Sequence, residues 1–143
     1  MKQLGVILLM ILWIAGFSAC SKASPYDGDI QIMKEICNVL NNLSTSVNIV
    51  KDADGIIMAI GEFIPKYKAI KPKVDEMVNK YPYFGRSGGE DNAPEELKPH
   101  LKRVREAFEL LHMSVKGMLN KWHIRNEEIT PAVQELYEVM QGY

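Results

Sequence analysis

The chain has 143 residues, with 17 lysines and arginines against 18 aspartates and glutamates, for a formal net charge of −1. That balance excludes the broad electrostatic pull of a nucleic-acid binder, and the length suits one small domain. Two cysteines exclude a disulfide framework.

The chain opens with a charge at Lys2 and then runs from Leu4 to Phe17 without another. Ser18 and Ala19, two small residues, precede Cys20. A positive start, an apolar stretch and small residues at the cut are the parts of a secretory signal peptide. Roughly 14 apolar residues at ~1.5 Å each reach about 21 Å, short of the ~30 Å hydrocarbon core that a spanning helix must cross. The cysteine directly after the small residues resembles the signal of bacterial lipoproteins, which is cut before a cysteine that becomes lipidated. The resemblance covers residues 1 to 21, and Phe17 stands where that motif usually carries Leu. It implies cleavage between Ala19 and Cys20 and three acyl chains on Cys20. The chain then divides into a signal peptide (1–19), a lipidated tether (20–28) and a helical domain (29–143). Ser21 follows the cysteine where a retention signal for the inner membrane would place aspartate. By the same resemblance, in a Gram-negative source, this leaves delivery to the periplasmic face of the outer membrane open. An ordinary secretory peptide and an uncleaved helix are the competing readings of this segment.

Loss of Lys2 leaves 16 cations against 18 anions, a mature charge of −2. With Cys20 given to lipid, Cys37 has no intramolecular partner and reads as a small buried hydrophobe. Stability must come from packing.

Beyond a polar tether holding Pro25 and Gly28, Asp29 reads as an N-cap. Ile30, Met33, Cys37, Leu40, Leu43, Val47 and Val50 follow at spacings of three and four, the period of a helix. Asp52 or Asp54 caps the next helix, whose stripe is Ala53, Ile57, Ile60, Ile64, Tyr67, Ile70, Val74, Val78 and Tyr81. Pro65 and Pro72 interrupt it, and an interior proline costs ~3 kcal/mol. The apolar register survives both, so the spacing predicts one long helix. Leu97, Leu101, Val104, Phe108, Leu111, Val115, Met118 and Trp122 form the seam of a third helix. Asn92 with Glu95 makes a capping box, and Pro94 fits the first turn. Thr130 caps a short fourth helix with Pro131 at its first position and Val133, Leu136, Tyr137 and Met140 on one side. No segment alternates with period two. The expected fold is all-α: an antiparallel three-helix bundle with a short fourth C-terminal helix packed on it.

Gly85 to Asn92 is glycine-rich but matches neither phosphate-binding motif and reads as a flexible turn. If consecutive helices run antiparallel, the tether shares one end with this turn and the start of the third helix. That end carries Lys102, Arg103, Arg105, Tyr83 and Phe84, candidates to face an anionic membrane surface. Interleaved acids such as Glu90, Asp91, Glu95 and Glu96 equally suit an ordinary solvated end.

Catalytic signals are weak. Glu109 and His112 have the spacing of a di-metal ligand pair, but no second copy exists. Met33 with His112 or His123 could ligate haem, yet the covalent attachment motif is absent. His112, Met113 and Met118 are soft donors for copper. Ser24, Ser44, Ser46, Ser87 and Ser114 lack any nucleophile context. The sequence therefore predicts a non-enzymatic, lipid-anchored envelope protein with a structural or protein-interaction role. It predicts no cofactor, no metal and no nucleic acid, and as partners a membrane and another envelope protein. A small metal or haem carrier of the periplasm is the alternative.

Overall fold

The structure, a computed structural model, describes residues 23–82, 84–121 and 126–141. These form four helices and no strand: α1 (Asp27–Ile49), α2 (Ala53–Lys80), α3 (Lys98–Lys121) and α4 (Asn126–Met140). The all-helical class read from the periodicity stands. α1 packs against both α2 and α3, and α4 packs against α2. None of the described helices is long and apolar enough to cross a membrane.

Each helix turns its stripe into one core. α1 contributes Met33, Ile36, Leu40, Leu43 and Val47, all at most 2% exposed, and α2 contributes Ile56, Ile60, Phe63, Tyr67, Val74 and Met77. Leu97, Leu101, Val104, Leu111, Val115 and Met118 enter from α3 and its approach, and Ile129, Val133 and Leu136 from α4. A buried aliphatic or aromatic side chain contributes roughly 1.5–3 kcal/mol, which suits a domain held by packing. The stripes differ from the sequence reading at their margins. Ile36 is fully buried where Ile30, Cys37 and Val50 are only partly so, and Ile56 replaces Ile57, which is 40% exposed. Trp122 lies outside the described residues.

The caps follow local chemistry. Asp52 begins α2 by accepting a hydrogen bond from the Gly55 amide at 2.8 Å. Pro65 and Pro72 sit inside α2, and the carbonyls they orphan belong to Gly61 and Lys68, both exposed residues that water can satisfy. The capping box at Asn92 and Glu95 does not start α3. Pro94 instead begins a turn whose carbonyl accepts from the amides of Leu97 and Lys98, and the helix starts at Lys98. Pro99 then occupies the first turn, where an amide has no helical partner. α4 begins at Asn126, so Thr130 is not its cap and Pro131 lies in its interior. The carbonyl that Pro131 cannot reach is that of Glu127, an exposed residue.

Asp29 is the larger correction. It is 7% exposed and lies within α1. Its carboxylate accepts from Lys80 Nζ at 2.6 and 2.9 Å and from the Tyr81 hydroxyl, so the start of α1 is pinned to the end of α2. Burial pushes the Asp29 carboxyl up, but the hydrogen bonds from Lys80 and Tyr81 and the Lys80 charge outweigh it and hold the carboxyl below its ordinary value. Burial, and then Asp29 itself, push the Tyr81 hydroxyl up.

A carboxyl lowered on folding stabilises the fold fully above its unfolded pKa and stops doing so as pH falls through the folded one. Asp29→Ala is expected to cost about 2 kcal/mol at neutral pH, measured by urea unfolding followed by circular dichroism. The deficit relative to the natural chain should hold down to the ordinary value of 3.8 and shrink below it; a deficit unchanged in strong acid overturns the assignment.

Candidate functional site

Two of the concavities beside α3 differ in character. The first is a groove of about 760 Å³ between α3 and α4, walled by Phe108, Leu111, Val115, Leu136, Tyr137 and Met140, with Glu109, His112 and Gln141 at its edges. Met113 and Tyr137, which also line it, are 61% and 48% exposed, unusual for large apolar side chains. Its size and apolar lining fall within the range of ligand and peptide sites. The periodicity that builds the helices produces this groove, because α3 and α4 each keep a second apolar strip outside the seam that enters the core.

Gly85 closes one end of the groove in a conformation that other residues rarely adopt, with φ +71°. A Cβ there would stand 2.9 Å from the Phe108 ring. The glycine thus permits both the turn and the close approach of backbone to ring. The stretch Gly85 to Asn92 is a series of short turns, closed by bonds such as Gly89 N–H to Arg86 O and Asp91 N–H to Gly88 O. It is tied to α3 by Glu90, which meets Arg105 at 3.1 Å.

The second concavity, about 420 Å³, lies between α1 and α3. Lys34, Asn38 and Asn41 line it from α1, and His100, Arg103 and Glu106 from α3. Met33, Cys37, Ala107 and Leu110 complete its walls. The His100 imidazole is held below its ordinary value by burial and by the charges of Arg103 and Lys34, with Glu96 acting in the opposite sense. The thiol of Cys37 is pushed up by burial, which the nearby Arg103 only partly offsets. Cys37 is therefore a thiol, not a thiolate, at neutral pH.

Of the residues singled out from sequence, Ala19, Cys20, Tyr83 and His123 lie outside the described residues. Phe84 does not face outward. It is 2% exposed, because the turn in which its amide bonds to the Tyr81 carbonyl folds the ring into the core. Arg105 is committed to Glu90 and Glu109, at 3.1 and 3.2 Å. Lys102 lies 3.8 Å from Glu106. Arg103 alone of that set makes no ion pair among the described residues. Glu109 and His112 both line the groove, but among the described residues no group of three or more His, Cys, Asp or Glu could hold a metal ion. Met33 and His112 are not brought together: Met33 adjoins His100, and twelve residues of helix at ~1.5 Å separate His100 from His112. Met118 is buried while Met113 is exposed, so these two methionines do not converge either.

Sequence reasoning missed the grouping of Lys34 with His100 and Arg103. The available signal was an outward polar strip, Lys34, Asn38 and Asn41, at spacings of four and three on α1. The chain matches no family model, no curated protein and no solved structure.

Two glycines should respond in opposite directions to alanine. Gly85→Ala is expected to lose about 1 kcal/mol or more, from positive φ and the Phe108 clash. Gly117→Ala, in the interior of α3 with nothing within 4 Å of the added carbon, should gain about 0.5–1 kcal/mol. Thermal unfolding of the two variants checks both signs.

Proposed function

We propose that this chain is a lipid-anchored lipoprotein of the bacterial cell envelope whose mature domain is a non-enzymatic module that holds another envelope protein. The observation that carries the reading is the run Phe17-Ser18-Ala19-Cys20, placed after an uncharged stretch and before a short polar tether. Residues 1–19 are removed, Cys20 carries the acyl chains, and the domain stands at the membrane surface. In a Gram-negative source that surface is the periplasmic face of the outer membrane. Each buried acyl methylene adds ~0.8 kcal/mol, so several chains make the attachment stable where one makes it marginal.

The domain is read as an antiparallel three-helix bundle with α4 laid against its side. Three contacts support this reading. Asp29 at the start of α1 meets Lys80 at the end of α2, and Glu35 meets Lys73 one step further along, at 2.6 Å. Asn48 near the end of α1 donates to Ser114 of α3 at 3.1 Å, which aligns those two helices in one direction. The partner is taken by the groove between α3 and α4. An amphipathic helix that lays apolar side chains on Leu111, Tyr137 and Met140 is the recognition mode that such a surface favours.

Mass spectrometry of the purified protein is expected to show Cys20 as an acylated N-terminus, and the protein should enter the detergent phase on partitioning. Cys20→Ser should move it to the aqueous phase. An unmodified N-terminus, or a natural chain that stays aqueous, overturns the anchor. For the module, Met113→Glu should remove the product of crosslinking in intact cells without releasing the protein from the membrane. A product of undiminished yield would take the partner off the groove.

A further inference from the structure

We propose that the cleft between α1 and α3 binds the phosphate of an anionic ester, with Lys34 and Arg103 as its cationic donors and the His100 imidazole beside them. This proposal stands on the cleft alone and does not require the lipid anchor.

Several cations of this molecule are held by acids. Lys73 meets Glu35, Lys80 meets Asp29, Lys98 meets Glu95, and Arg105 meets both Glu90 and Glu109. In the cleft two cations are not so held. Lys34 and Arg103 have no ion pair among the described residues, yet two helices bring them to the same concavity as His100. They are close enough that both charges act on its imidazole. Two cations that share a concavity with a single lining carboxylate, Glu106, repel one another. An arrangement that repels itself when empty is offset by a bound anion.

Lining residues indicate which anion. Lysine supplies a point charge, arginine a planar fork suited to two oxygens, and the imidazole N–H another donor. Asn38 and Asn41 add amide donors on the α1 wall. That is more donor capacity than one carboxylate can use and suits a phosphate, with its greater charge and number of terminal oxygens. Met33, Cys37, Ala107 and Leu110 give the cleft an apolar floor, which suits the carbon side of an ester and does nothing for a bare ion. Glu106 stands at the edge with Lys102 3.8 Å away, and Glu96 precedes α3. These are the acidic groups that face the site, and they lie on the α3 side. Both a soluble phosphate ester and the headgroup of an anionic phospholipid carry the chemistry.

The test uses the full chain with two readouts. For soluble ligand, proton NMR in neutral detergent follows the His100 imidazole against pH at low salt, with inorganic phosphate or with sodium chloride at matched ionic strength. A bound phosphate cancels the field of Lys34 and Arg103, so the His100 midpoint should move to higher pH with phosphate beyond the chloride control. For lipid, the rate of Lys34 acetylation is read by mass spectrometry on phosphatidylcholine vesicles with and without phosphatidylglycerol. Lys66, exposed on α2 and outside the cleft, is the internal reference. Several-fold protection of Lys34 relative to Lys66 that requires phosphatidylglycerol assigns the ligand to a lipid headgroup. A response to inorganic phosphate alone assigns it to a soluble ester. Arg103→Ala leaves Lys34 and His100 as reporters and should abolish either response. Absence of both responses, or persistence of a response in Arg103→Ala, overturns the proposal.

Discussion

α1 packs against α2 on one side and α3 on another, and much of the rest follows from that double contact. A helix with two neighbours buries a wider stripe than one lying on a single surface. Met33, Ile36, Leu40, Leu43 and Val47 fill the middle of it, and Ile32, Cys37 and Val39 pack at its margins. The stripe extends to the first turn, where residue 29 is an aspartate, and a carboxylate carried inward needs partners there. Lys80 and Tyr81 supply them. That requirement fixes where α2 ends, because Tyr81 must follow it directly with its hydroxyl turned toward α1. The chain then has a few residues in which to reverse. Phe84 closes the core, and Gly85 takes the positive φ that lets the backbone pass beside Phe108.

Three prolines lie inside helices, and all three obey one rule. The carbonyls orphaned by Pro65, Pro72 and Pro131 belong to Gly61, Lys68 and Glu127, each an exposed residue. A missing helical bond costs most where water cannot replace it. On the outward side of a helix the cost is reduced, so the register of α2 runs through two prolines without a break. The core pays in other ways: the Tyr67 hydroxyl is buried without a hydrogen-bond partner among the described residues, and burial drives its pKa up.

Helical class, the four helices of the described residues and the continuity of α2 were legible in the sequence because apolar spacing reports them directly. α3 read most cleanly: from Leu97 to Met118, Phe108 alone of the predicted seam is not fully buried. Helix starts were less legible, and for a common reason. Asn92, Thr130 and Asp29 each have the chemistry of a cap, but a side chain that can cap can also do something else. Asp29 is drawn inward by Lys80, and Asn92 loses to the turn begun at Pro94. Of the residues grouped at that end, Phe84 is buried and Arg105 is paired; sequence shows which residues share an end of the molecule but not which are already satisfied there. Glu90, fifteen residues from Arg105, is the partner that no local pattern announces. The cleft stayed hidden for the same reason, since Lys34 and His100 meet only through the packing of α1 on α3.

α3 therefore presents two surfaces that work by different physics. Toward α1, residues 100 to 107 border a cationic cleft, and toward α4, residues 108 to 115 border an apolar groove. Attraction to the first is electrostatic and fades as salt shortens the Debye length to about 10 Å at 0.1 M. Attraction to the second comes from apolar burial, which salt does not screen. His100 and Met113 are thirteen residues apart, roughly 20 Å along the helix, so an occupant of one site leaves room for an occupant of the other. The cleft also lies toward the start of α1, the end reached from Cys20 through residues 21 to 26, a span of at most about 20 Å when extended. The cleft is therefore within a short chain length of Cys20. The groove lies further along α3.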